Sequence, residues 1–112
     1  MPVNFQIVAY DERAQVRLAY GDAMGAIQDA ERAVSMSQAF ANSDRLGGVY
    51  LVARCRATQA LAWLKLGEAA RAAKVYDTAI AEMEKHLDRM GPQGEISTLL
   101  GQLRGARSKL HV

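Results

Sequence analysis

The chain has 112 residues, 50% of them apolar and 23% charged, which fits one globular domain and excludes a disordered polymer. Its formal charge of +2 is too small to mark a nucleic-acid or membrane-surface binder by itself. One cysteine, Cys55, excludes an internal disulfide framework and suits a reducing compartment.

The first segment, from about Asn4 to Tyr20, carries Ile7, Tyr10, Ala14 and Leu18 on one helical stripe, and Gly21 ends it. Asp22 is placed to cap the second helix, which runs to about Ser37 with Ala23, Ala26, Ile27, Ala30, Ala33 and Val34 on one face. Asp29, Glu31 and Arg32 are expected to face away from that stripe. A connection over Gln38 to Asn42 follows, with Asn42 or Ser43 as the next cap. The third helix, about Asp44 to Leu66, places Leu46, Tyr50, Ala53, Ala57, Ala60 and Leu64 in four-three alternation, the spacing of a seam packed along its length. Gly47 and Gly48 weaken its first turn and move its start toward Val49. Gly67 ends it. The fourth helix, about Glu68 to Met90, has Ala69, Ala72, Tyr76, Ala79, Met83, Leu87 and Met90 on one stripe. Gly91-Pro92-Gln93-Gly94 is the strongest break in the chain, and a last helix over about Glu95 to Leu110 aligns Ile96, Leu99, Leu100, Leu103 and Leu110. Five helices and no strand predict an all-α fold. Only 6% of the chain is aromatic, so small and aliphatic side chains must build its core.

The chain repeats itself. When Gly21 is aligned with Gly67, Ala14 matches Ala60, Asp22 matches Glu68, Ala26 matches Ala72 and Ala33 matches Ala79. A branched aliphatic follows each closing alanine, Val34 or Ile80. Small residues facing each other across a glycine turn let two antiparallel helices approach closely.

The segment Ala60–Ile80, ALAWLKLGEAARAAKVYDTAI, resembles the tetratricopeptide repeat (TPR) at its small-residue, turn-glycine, aromatic (Tyr76) and closing-alanine positions. The segment Ala14–Val34, AQVRLAYGDAMGAIQDAERAV, is similar, but has Ala30 where the family has an aromatic. It also has Arg13 and Arg17 where the family has large apolar residues. The two glycines are 46 residues apart, beyond the usual repeat of ~34. That spacing is similar to the longer repeats of large bacterial signal-transducing ATPases and transcription activators. The resemblance implies a TPR-like solenoid of two antiparallel hairpins, repeat 1 over about 5–37 and repeat 2 over about 44–90, with a C-terminal capping helix over about 95–110. Two repeats are fewer than the three or so that stand alone, so the last helix, a second copy or a partner must cover the open faces.

No set of residues reads as a catalytic or metal centre. His86 and His111 lie far apart, and Glu82 with His86 gives at most a solvated i,i+4 pair. Cys55 lies within an apolar helix, where a buried structural thiol outweighs a reactive one despite flanking Arg54 and Arg56. Asp11-Glu12 and Glu82/Glu84 read as solvated charge. Gly47-Gly48 lacks the lysine and spaced glycines of a phosphate loop. Gly101 and Gly105 either admit close packing or loosen the last helix. The cations near that helix's end, Arg104, Arg107 and Lys109 with His111, have no interleaved aromatics and suit the helix dipole, which ranks nucleic acid below protein as a partner. Trp63 lies off the main seam and is expected to fill the junction between hairpins.

The expectation is therefore a non-enzymatic protein-binding module with no cofactor or metal, acting as an adaptor, chaperone or regulatory subunit. No run approaches the ~20 apolar residues of a membrane span. The opening Met-Pro-Val-Asn-Phe-Gln lacks a signal peptide's build, so a cytoplasmic protein is expected. The resemblance implies that the first helix of each hairpin lines the partner groove, which assigns Asp11, Gln15 and Leu18 from one and Arg54, Ala57, Thr58, Leu61 and Lys65 from the other. This mixed lining departs from the family's terminal-carboxylate clamp and suits a helical or extended segment. The alternative is a homodimer whose apolar faces are filled by a second copy.

Overall fold

The structure, a computed structural model, describes residues 3–41 and 48–112 and is all-α over them. Its helices are α1 (Val3–Ala19), α2 (Ala23–Ala41), α3 (Gly48–Lys65), α4 (Ala69–Met90) and α5 (Gly94–Ser108). α2 continues through Gln38–Ala41, where the sequence suggested a connection; Gln38 and Ala39 are good helix formers and extend it on its exposed side. α3 starts at Gly48, close to the expected Val49. The expected caps Asn42 and Ser43, and Leu46 of the seam, lie outside the described residues.

The two glycine turns are built alike. Gly21 and Gly67 take φ of 86° and 77°, a left-handed conformation that glycine adopts without a Cβ clash. In the first, the Gly21 N–H donates to the Leu18 carbonyl at 3.1 Å and the Asp22 N–H to the Arg17 carbonyl at 2.8 Å. In the second, Gly67 donates to Leu64 at 3.0 Å and Glu68 to Trp63 at 2.9 Å. Each turn thus satisfies the last carbonyls of one helix in the Schellman pattern and reverses the chain. Asp22 caps α2 as expected, accepting the Gly25 N–H at 2.9 Å.

The stripes read from sequence pack inward. Ala14, Ala26, Ala30, Ala60, Ala72 and Ala79 are all essentially inaccessible, which lets the hairpin helices lie close together. Tyr76 and Met83 of α4 join Ile96, Leu99, Leu100 and Leu103 of α5 in the largest core cluster, so α5 closes the second hairpin. A smaller cluster of Ile7, Ala33, Val34 and Cys55 sits where the first hairpin meets α3.

Each helix packs on its chain neighbour, and α3 also touches both α1 and α5, whereas α2 and α4 do not meet. The odd-numbered helices therefore form one row and the even-numbered helices stand behind it. The molecule measures 39 × 38 × 18 Å, thin in one direction, as two helix layers require.

Several expectations are corrected. Asp29 faces inward, because α1 brings Arg13 and Arg17 against it. Asp11 is buried rather than solvated, since it lies where α1 meets α3. Glu82 pairs with Arg56 of α3 at 2.8 Å and not with His86. Gly101 and Gly105 are exposed, and a Cβ at either would meet nothing within 4 Å, so neither serves a close approach.

Candidate functional site

The row of α1, α3 and α5 carries the groove residues named from sequence. Four of them come together where α1 crosses α3: Asp11, Gln15, Arg54 and Thr58. Gln15 Nε2 donates to Asp11 Oδ2 at 2.9 Å, and the exposed amide covers the carboxyl. Thr58 is buried, and its hydroxyl reaches both the Arg54 carbonyl, at 3.3 Å, and the Asp11 carboxyl. Asp11 Oδ1 is buried with no close hydrogen-bond partner. Burial pushes the Asp11 carboxyl upward from its ordinary value; the Thr58 hydroxyl, the Gln15 amide and the Arg54 charge pull it part of the way back, and Glu12 adds to the rise. The Arg54 guanidinium is exposed and lies 5.9 Å from the Tyr50 ring centre.

Leu61 and Lys65 follow Thr58 by three and seven residues, which keeps them on the same face of α3. Leu61 is 49% exposed. Lys65 is exposed, and neither it nor Arg54 has a carboxylate within ion-pair distance among the described residues. Ala57 is half-buried against the main core, and Leu18 packs on the Ala14–Ala30 cluster, so both belong to the core more than to the open face. Farther along the row, Tyr50 and the α5 residues Glu95, Thr98 and Gln102 border an open cleft.

The first hairpin contains an ion-pair lock that sequence reading missed. Arg13 grips Asp29 with two of its nitrogens, Nε to Oδ2 at 2.8 Å and Nη2 to Oδ1 at 2.7 Å, and Arg17 stands 3.4 Å from Oδ2. The Arg13 hydrogen bonds hold Asp29 below its ordinary carboxylate value despite burial. A signal was present: Arg13 and Asp29 lie eight residues either side of Gly21, mirror positions in an antiparallel hairpin.

Other candidates have structural partners. Cys55 is fully buried, and its thiol is pushed up to about 12 by burial and by the Asp11 charge, partly offset by Ser37, Arg54 and Arg56, which leaves it inert. Arg104 pairs with Glu84 at 2.6 Å and Arg107 with Asp77 at 2.8 Å, so these cations tie α5 to α4. His86 Nε2 lies 3.1 Å from Gln93 Oε1, across the α4–α5 break, while its Nδ1 is buried without a partner. Trp63 is half-buried between the two larger clusters, with the Arg71 guanidinium 4.7 Å from its ring centre, and fills the junction as expected. Among the described residues no three potential ligands converge on a metal position, and no helix is long and apolar enough to cross a membrane. No family model, curated protein or solved structure matches the chain.

Proposed function

We propose that this chain is a non-catalytic, TPR-like binding module that receives a polypeptide segment on the α1–α3 face. The observation that carries this reading is Leu61: an aliphatic side chain 49% exposed on a helix row that no described part of the chain covers. On the same face lie polar groups drawn from two helices, Gln15 and Arg54, which can orient a bound chain. The repeated glycine turns and the row of odd-numbered helices support a short solenoid, whose inner face is the ordinary docking surface of such arrays. An adaptor, chaperone or regulatory subunit working in the cytoplasm accords with that reading.

Selection of a random-sequence peptide display library on the immobilised protein tests it, with Leu61→Ser as the counter-screen. Enriched peptides are expected to bind the parent at least 10-fold better than Leu61→Ser, while circular dichroism shows both equally helical. Peptides enriched equally on both proteins would remove the groove from this face.

A second reading, self-association, rests on exposed apolar side chains of the first hairpin. Phe5, Val16, Tyr20 and Met24 are all exposed, Tyr20 at 87%. Mass measurement across a dilution series decides it: a mass that stays at one chain at all concentrations rejects the homodimer.

A further inference from the structure

The α1–α3 face has a charge pattern as well as an apolar centre, and that pattern specifies its occupant. Arg54 and Lys65 are both exposed, both without a carboxylate partner among the described residues, and placed on either side of half-exposed Leu61. Elsewhere α3 behaves differently: Arg56, on its other side, is already neutralised by Glu82 at 2.8 Å. Asp11, whose carboxyl feels the Arg54 charge, is itself only 3% exposed beneath the Gln15 amide and is closed to a ligand. Glu95 of α5 is the acid of the neighbouring cleft, at the Tyr50 end of the face.

From these observations we infer that the segment bound here is acidic and amphipathic, with an apolar residue seated on Leu61 between two carboxylates that meet Arg54 and Lys65. Eleven residues of helix separate the two cations, or about 16 Å at 1.5 Å per residue. A helical ligand laid along α3 matches this with acids about eleven residues apart and the apolar residue about four from one end. An opposite-charge ligand gains on-rate and register from such a pair, and a like-charged ligand is repelled at both ends.

The inference rests on the groove reading above, and the same library selection separates their failures. The peptides that depend on Leu61 are expected to carry Asp or Glu on both sides of an apolar residue. For the best of them, chemically synthesised, titration calorimetry at low salt should show roughly 10-fold weaker binding to Arg54→Glu and to Lys65→Glu, and near-parent binding to Arg54→Lys. The double reversal Arg54→Glu/Lys65→Glu, put through the same selection, should enrich basic flanks instead. If Leu61-dependent peptides are neutral or basic on the parent protein, the acidic assignment is wrong and the groove stands. If no peptide depends on Leu61, both fall together.

Discussion

Hairpin α1–α2 and hairpin α3–α4 make the same turn with the same hydrogen bonds and then fill the space beside it with different chemistry. In the first, Arg13, Arg17 and Asp29 form a charged lock. The residues 46 positions later are Gln59, Trp63 and Val75, and both Trp63 and Val75 pack against the main core. Gly25 corresponds to Arg71: Arg17 donates to the Gly25 carbonyl at 3.3 Å, whereas Arg71 lies over the Trp63 ring. The lesson is that backbone reversal and helix approach are set by the glycines and alanines, while the side chains flanking them are free to be ionic or apolar. The second hairpin must also receive α5, which rewards apolar surface; the first has no such neighbour behind it among the described residues.

The difference predicts unequal sensitivity at matching positions. Trp63→Ala should cost about 3 kcal/mol, the low end for losing a large aromatic, because Trp63 bridges two core clusters but is only half-buried. Arg17→Ala, at the matching position, should cost under about 1 kcal/mol, because its charge is partly solvated. Urea unfolding of both variants checks this. Equal losses would mean that the lock holds the first hairpin as firmly as the aromatic holds the second.

What the hairpins share is tested at the turns. Gly21→Ala and Gly67→Ala force a Cβ into positive φ, where each should lose about 1 kcal/mol or more, although a Cβ at either position meets nothing within 4 Å. Thermal unfolding should show the two losses to be alike. A much larger loss at one turn would break the equivalence on which the alignment stands.

The helices, both turns and the alanine interfaces were legible in the sequence, because period, glycine position and residue size act locally. Asp11 and Asp29 were misread for one shared reason. Each faces a charge or hydroxyl on another helix, and single-helix periodicity cannot rank an acid that is compensated across an interface. Gly101 and Gly105 misled in the opposite direction: a spacing that permits close approach does not supply a helix to approach. On the candidate face, Leu61 and Lys65 were named only through the resemblance and are exposed, whereas the burial of Asp11 under Gln15 depends on how α1 crosses α3 and is written in neither helix alone.

The two buried carboxylates sharpen the comparison further, with opposite pH dependence. Asp29 titrates below its ordinary value of 3.8, so its pairing with Arg13 stabilises the fold fully above 3.8, and that stabilisation is lost as pH falls through the lowered value. Asp11 titrates above 3.8, so its folded form holds a proton that the unfolded chain has released. Its contribution is therefore fully present below 3.8 and is lost as pH rises through the raised value, leaving an ionised carboxyl with one unpartnered oxygen. Asp11→Asn keeps an acceptor for Gln15 and removes the charge. It should stabilise the fold by up to about 1 kcal/mol at pH values above the raised one, the low end of the cost of an unsatisfied buried group. The gain should vanish as pH falls through the raised value, whereas Asp29→Asn should be destabilising at pH 7 and converge on the parent in acid. Urea unfolding at several pH values measures both slopes. A destabilised Asp11→Asn at neutral pH would show that the ionised carboxylate holds α1 to α3, and would make the α1–α3 contact a second charged lock like the one at Asp29.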